Sequence, residues 1–248
     1  ATWLTMLESA EQRRPTVQAA DRRAVGRVID QGAFHPVFQP IVDLGDGRHV
    51  GYEALTRFHD GTNPERWFDD AAQAGVGVDL ELATLTAAIS AAHQLPGDAY
   101  VSVNVTPALL GRPVSELGSL LDDAPCPIVL EITEREAIDD YDLIRHQLGT
   151  LRPSVRLSID DAGAGFASLR HVLMLEPDFV KLDRSWVSGI DGEPAKQAMV
   201  AGLVHFAEAT GCALIAEGVE TEGEQDVLAR LRVPFAQGFL LGLPERAS

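Results

Sequence analysis

Cysteine is scarce in this 248-residue chain, and basic residues are outnumbered, with 20 Lys plus Arg against 37 Asp plus Glu. The two cysteines, Cys126 and Cys212, lie far apart without metal-ligand spacing. They offer no thiolate metal site and are expected to be buried small hydrophobes in a reducing, cytoplasmic setting. A formal charge of −17 argues against a long nucleic acid held through its phosphates. A small phosphate ligand remains compatible, because bound divalent cations reverse the local sign. No run approaches the roughly 20 apolar residues of a membrane span. No basic-then-apolar secretory stretch opens the sequence, and no internal repeat or low-complexity segment is visible. The segment is therefore expected to be cytoplasmic and to make no membrane contact, even if a longer chain is membrane-anchored elsewhere.

With 46% hydrophobic residues, the chain can bury a large core, as one α/β barrel or two small domains. Trp3, Leu4, Leu7, Val17, Val25, Val28 and Ile29 fall at roughly helical spacing, with an interruption at Pro15. Residues 1–31 read as a lead-in from an upstream sensory domain, and 32–248 as the main domain. The start at Ala1 fits an excised domain and a natural terminus trimmed of its methionine equally well.

From Phe34 onward, eight short β-rich runs alternate with helical stretches, at about 34–42, 49–57, 100–105, 127–132, 155–160, 178–182, 212–216 and 235–240. Helix starts are marked by Asn63-Pro64 and Thr106-Pro107, and by Thr221 with Glu224 three residues on as a capping box. Leu80, Leu82, Leu85 and Ile89 continue an apolar helix face. Such alternation predicts an α/β fold, a TIM-type (β/α)₈ barrel. One connection departs from that pattern. Between Val42 and Val50 the chain is too short for a parallel crossover, and Asp46-Gly47 is a hairpin signal. The barrel is therefore expected to be modified, with its first strand antiparallel.

Strand after strand ends in a polar residue: Glu53, Asn104, Glu131, Asp160-Asp161, Lys181, Glu217, and finally Gln237-Gly238 at the eighth run. In a barrel these ends open onto one mouth, where barrel enzymes keep their active sites. A single acid at a strand end is more often a solvated loop residue or a cap. Seven coincident positions are not dismissed so simply. Five carboxylates with one lysine repel strongly when desolvated, and divalent cations are the simplest remedy. An all-oxygen set with one amide suits magnesium or manganese rather than zinc. Two such ions would activate a water and stabilise the leaving oxygen of a phosphodiester.

The motifs now resemble a family. Glu53-Ala54-Leu55, within Gly51-Tyr52-Glu53-Ala54-Leu55-Thr56-Arg57, is similar to the signature of the EAL family of cyclic di-GMP phosphodiesterases. So are Gln39-Pro40-Ile41-Val42, Asn104, Glu131-Ile132-Thr133-Glu134, Asp160-Asp161, Lys181-Leu182-Asp183, Ala216-Glu217-Gly218-Val219-Glu220-Thr221 and Gln237-Gly238, in order, across about residues 32–245. The resemblance implies metal-dependent hydrolysis of cyclic di-GMP to linear pGpG with two magnesium or manganese ions, calcium being inhibitory. Glu53, Asn104, Glu131 and Asp160 would ligate one ion, with Asp160 bridging to a second held by Asp161 and Glu217. Lys181 would orient or activate the attacking water, so that Glu53, Lys181 and Glu217 carry the catalysis, the general base being left open. Arg57 would hold a phosphate, and Gln39, Asp183 and Gln237 would line the substrate site. Glu134 would anchor the loop after Asp160-Asp161, with Glu220 a similar support. Relatives pair through the region after that loop, implying a homodimer.

One stretch departs from the family pattern. Where the family loop reads Asp-Asp-Phe-Gly-Thr-Gly, this chain has Asp160-Asp161-Ala162-Gly163-Ala164-Gly165, which removes an aromatic and a hydroxyl. The alternative function is therefore an inactive or weak domain that binds cyclic di-GMP as an effector. His59-Asp60 reads as a solvated turn rather than a metal pair, and Gly163-Ala164-Gly165 lacks the third glycine of a dinucleotide fingerprint. Trp67 and Phe68 read as a helix core face rather than a base-stacking platform.

Overall fold

The computed structural model describes residues 21–133, 138–151, 155–162 and 166–247; of Val114, Asp161, Ala162 and residues 166–169 it describes the backbone alone. Eight strands close into a barrel in chain order: β1 (Phe34–Asp43), β2 (His49–Phe58), β3 (Tyr100–Asn104), β4 (Ile128–Thr133), β5 (Val155–Ala162), β6 (Phe179–Leu182), β7 (Ala213–Ala216) and β8 (Phe235–Ala236). Strands β2 through β8 run parallel, whereas β1 pairs antiparallel with β8, setting Val42 opposite Ala236. The turn that reverses β1 into β2 is built as its residues dictate. Gly47 takes φ 75°, and the Asp43 N–H donates to the Arg48 carbonyl at 2.9 Å. The modified barrel expected from the short 43–49 connection is the fold observed.

The helices are α1 (residues 21–30), α2 (Pro64–Gln73), α3 (Gly77–Ala92), α4 (Pro107–Leu110), α5 (Val114–Asp122), α6 (Tyr141–Leu151), α7 (Phe166–Leu175), α8 (Arg184–Val187), α9 (Pro194–Thr210) and α10 (Glu222–Arg230). Their starts follow the capping chemistry of the sequence. Asn63 Oδ1 accepts from the Glu65 N–H at 3.2 Å, Thr106 Oγ1 from the Leu109 N–H at 3.1 Å, and Thr221 with Glu224 closes a full capping box. Among the described residues no helix is long and apolar enough to cross a membrane.

The chain contacts form two units. The smaller takes residues 21–36 and 56–87. Its core is Val25, Phe58, Ala71 and Leu80, with the Trp67 ring stacked 5.5 Å from that of Phe58 and Phe68 set edge-on. Both aromatics thus face a core, and Asp60 accepts from the Thr62 N–H and hydroxyl at 2.9 Å each in a local turn. The larger unit takes residues 37–55 and 88–247. Its barrel interior is floored by Ile41, Tyr100, Val129, Phe179 and Ile215, all buried. The Arg156 guanidinium lies 6.0 Å and 5.7 Å from the Tyr100 and Phe179 ring centroids. Glycine is needed at position 51 because a Cβ there would come within 2.4 Å of the Tyr100 ring.

Two expectations are corrected. The eighth run ends at Ala236 rather than 240, because Gly238 turns the chain: its carbonyl accepts from the N–H groups of Leu241 and Gly242, each at 3.0 Å. Cys212 is buried as expected, but Cys126 is only half-buried, sitting between two prolines in the loop before β4.

Candidate active site

The period-two alternation of the strands sorts the barrel interior into layers. Two residues above the floor positions Val129, Phe179 and Ile215 come Glu131, Lys181 and Glu217. Ser158, fully buried, stands two below Asp160, and Gly51 two below Glu53. Every acid brought to this upper layer meets the same cation. Lys181 Nζ lies 3.3 Å from Glu53 Oε2, 3.2 Å from Glu131 Oε2, 3.4 Å from Asp160 Oδ1 and 2.8 Å from Glu217 Oε1. Lys181 and Glu131 are fully buried. A second chain of contacts approaches from β8 and β1. Gln237 Nε2 donates to Glu53 Oε2 and, at 3.4 Å, to Gln39 Oε1, while Gln39 Nε2 donates to the Gly242 carbonyl at 3.1 Å.

Four carboxylates surround one ammonium, and their crowding out of water moves the proton equilibria of Glu131 and Glu217. Burial pushes the Glu131 carboxyl up to about 8, with Glu53 and Asp160 adding to the rise and Lys181 and the Ser102 hydroxyl opposing it. Burial likewise raises Glu217 well above the carboxylate range, reinforced by Asp160 and Glu53 against the pull of Lys181. For Lys181, burial alone would lower the value. Asp160, Glu131, Glu217 and Glu53 together outweigh it and hold the ammonium charged.

Burial thus biases Glu131 and Glu217 toward their neutral forms, a bias that added positive charge would oppose. Its donors are all oxygens, and Glu131 Oε1 is buried without a hydrogen-bond partner, so the residues fit hard divalent cations such as magnesium or manganese. Among the described residues no three acids stand close enough together to enclose an ion as they are. Each leans instead on Lys181, and an entering ion would have to turn carboxylate oxygens away from it.

The other sequence-derived candidates divide. Asn104 ends β3 in register with Glu131 but is exposed. Asp161 lies in β5 within the register shift between Ile159 and Ala162, an irregularity of the kind found next to active sites. Its side chain lies outside the described residues, as do all of Glu134 and Ala164. Arg57 belongs to the smaller unit, where its Nη1 donates to the Thr56 carbonyl at 3.0 Å. Asp183 caps α8, accepting from the Ser185 N–H at 3.0 Å, and is not one of the groups on Lys181. Glu220 is exposed and pairs with Arg184 at 2.8 Å.

Sequence reasoning missed how the loops behind Lys181 and Glu217 are tied. Glu224, read as a helix cap, also accepts from the Gly189 N–H at 2.8 Å. The only advance signal was a carboxylate, able to take more donors than one cap supplies.

Residues 22–244 match the family model of the EAL domain, and the chain belongs to that family. The cyclic di-GMP phosphodiesterase RocR of Pseudomonas aeruginosa is 31% identical over 233 residues, aligning 89% of this chain with 59% of that protein. The cyclic di-GMP phosphodiesterase PdeL of Escherichia coli is 28% identical over 235 residues, 89% of this chain and 65% of PdeL. The chain therefore spans less than two thirds of either relative. Klebsiella pneumoniae BlrP1 with manganese and cyclic di-GMP is 32% identical, with a TM-score of 0.77 over 86% of this chain and 56% of that one. Its calcium and cyclic di-GMP complex gives 0.76.

Proposed function

We propose that this chain hydrolyses one phosphodiester bond of cyclic di-GMP to give linear pGpG with the help of two divalent cations, magnesium or manganese. The observation that carries the reading is the convergence of Glu53, Glu131, Asp160 and Glu217 on Lys181 at a barrel mouth, in an EAL-family chain. Glu53, Asn104, Glu131 and Asp160 would hold one ion, and Asp160, Asp161 and Glu217 the other. Bound there, the ions would supply a nucleophilic water and neutralise charge on the departing oxygen.

The protein's own part is orientation. Lys181, buried and charged, donates toward the oxygen that attacks. Gln237 and Gln39 fix Glu53 from the β8–β1 side. Arg57 would hold a substrate phosphate, Asp183 would line the site beside them, and Glu134 and Glu220 would steady the loops. Calcium would bind the same oxygens and inhibit, because its larger, looser shell distorts an octahedral site. We further propose a cytoplasmic homodimer paired through the region after Asp160-Asp161, governed by a sensory domain upstream.

Incubating the chain with cyclic di-GMP and manganese, then separating products chromatographically, tests the reading. Linear pGpG is expected. Tight binding with the cyclic dinucleotide recovered intact would replace the enzyme with the effector reading.

A further inference from the structure

Behind the contact between Lys181 and Glu217, the loops that follow their strands are joined through one side chain. Glu224, in the first turn of α10, is 5% exposed. Its Oε1 accepts from the Gly189 N–H at 2.8 Å, and its Oε2 from the N–H groups of Glu220 at 2.9 Å and Thr221 at 3.0 Å. Gly189 lies on the chain after Lys181, at φ 70°, where α8 passes into the short 3₁₀ turn Ile190–Gly192. Glu220 and Thr221 lie on the chain after Glu217. One buried carboxylate therefore holds both loops by three backbone donors, and the fit around it is close. A Cβ on Gly223 would stand 2.9 Å from Asp191 Oδ2, and one on Gly218 2.5 Å from Arg184 Cγ. The β7–α10 loop is also fixed on its far side, the Val219 N–H donating to the Gln237 carbonyl at 3.1 Å.

We infer that Glu224 is a positioning residue: by tying the Gly189 turn to the Glu220–Thr221 backbone, it sets where Glu217 stands relative to Lys181 and hence the geometry in which Glu217 receives a divalent cation. This rests on the functional reading above. Without the carboxylate, three N–H groups lose their partner, and the two loops relax independently. A small displacement of Glu217 would then weaken metal binding and slow turnover, since groups that orient a ligating side chain commonly contribute 10- to 100-fold. The Arg184–Glu220 ion pair spans the same loops, but both partners are exposed, and such pairs hold little.

The test uses Glu224→Ala and Glu224→Gln in the 248-residue chain, with manganese alone as probe, its free fraction read by electron paramagnetic resonance. Glu224→Ala, folded by circular dichroism, is expected to bind manganese about tenfold or more weakly than the parent. Its kcat on cyclic di-GMP should fall while KM moves less than about twofold. Glu224→Gln keeps a carbonyl acceptor for one loop only and should fall between the two. Parental manganese affinity in folded Glu224→Ala, or in Glu224→Gln if the alanine variant does not fold, overturns the role of Glu224 and leaves the functional reading standing. A parent chain that binds no manganese overturns both.

Discussion

Lys181 and Glu217 stand 2.8 Å apart, Nζ to Oε1, the shortest of four contacts by which one buried ammonium meets the acids of the barrel mouth. Lys181 supplies a shared counterion for these four acids, at the centre of a cluster of like charges.

Lys181→Met is therefore expected to destabilise the metal-free protein by about 3–5 kcal/mol, the usual result of stripping the partner from buried charges. Magnesium or manganese should recover much of the loss by taking over the neutralisation. Urea unfolding in chelator and in excess manganese checks both halves. Equal stability of variant and parent in chelator would mean the carboxylates need no counterion.

Turnover should require a divalent cation and vanish in excess chelator, with calcium failing to substitute. Product formation at an undiminished rate in chelator would rule out the metal-dependent mechanism.

Glu53→Ala should cut turnover about a hundredfold or more, because it removes a proposed ligand and leaves the Gln237 side-chain amide bonded to Gln39 alone of its two partners. The fold should persist: one acid fewer around Lys181 relieves repulsion in the metal-free protein. Steady-state rates alongside thermal unfolding separate the two effects.

Gly238→Ala should cost about 1–3 kcal/mol by overpacking. The added Cβ would come within 2.2 Å of both the Val219 nitrogen and the Val219 oxygen, and a backbone neighbour cannot rotate aside. Wild-type unfolding behaviour would mean the β8 turn is looser than its packing implies.

Glu224 gives a pH-dependent prediction. Burial would raise its carboxyl, but donors from Gly189, Glu220 and Thr221 outweigh that and hold it below the ordinary carboxylate range. Charged groups on the joined loops include the acids Asp191, Glu193 and Glu220 and the bases Arg184 and Lys196, which donates to the Ser188 carbonyl at 2.6 Å. A depressed folded-state value means the stabilisation is full above the unfolded value of about 4.3 and is lost as pH falls through the lower folded value. The stability gap between parent and Glu224→Gln should therefore be constant from neutral pH down to about 5 and shrink below it. A gap that widens on acidification would reverse the sign and refute the assignment.

Much of this was legible in advance because it is local. The run of β-rich segments put Glu131, Lys181 and Glu217 within two residues of a strand's end, whereas Glu53, read as ending its strand, is the fifth of the ten residues of β2. Asn63 and Thr221 announced their helices, and the short 43–49 link demanded an antiparallel β1. What escaped was set by contacts distant in sequence. No pattern around Gly238 reveals that its backbone packs on Val219, so β8 was read too long. Nothing near Glu224 hints that the peptide of Gly189, 35 positions earlier, reaches its carboxylate.

The reversed course of β1 has a mechanical consequence. In an all-parallel barrel the polypeptide enters at the base, a full strand length from the chemistry. Here it enters at the rim: Gln39, midway along β1, shares the Gln237 amide with Glu53. Tension or torsion applied to the chain ahead of β1 would reach the reacting centre along half of that strand and two hydrogen bonds. A displacement of the barrel's inlet would therefore be felt at Glu53 by a path that bypasses the hydrophobic floor.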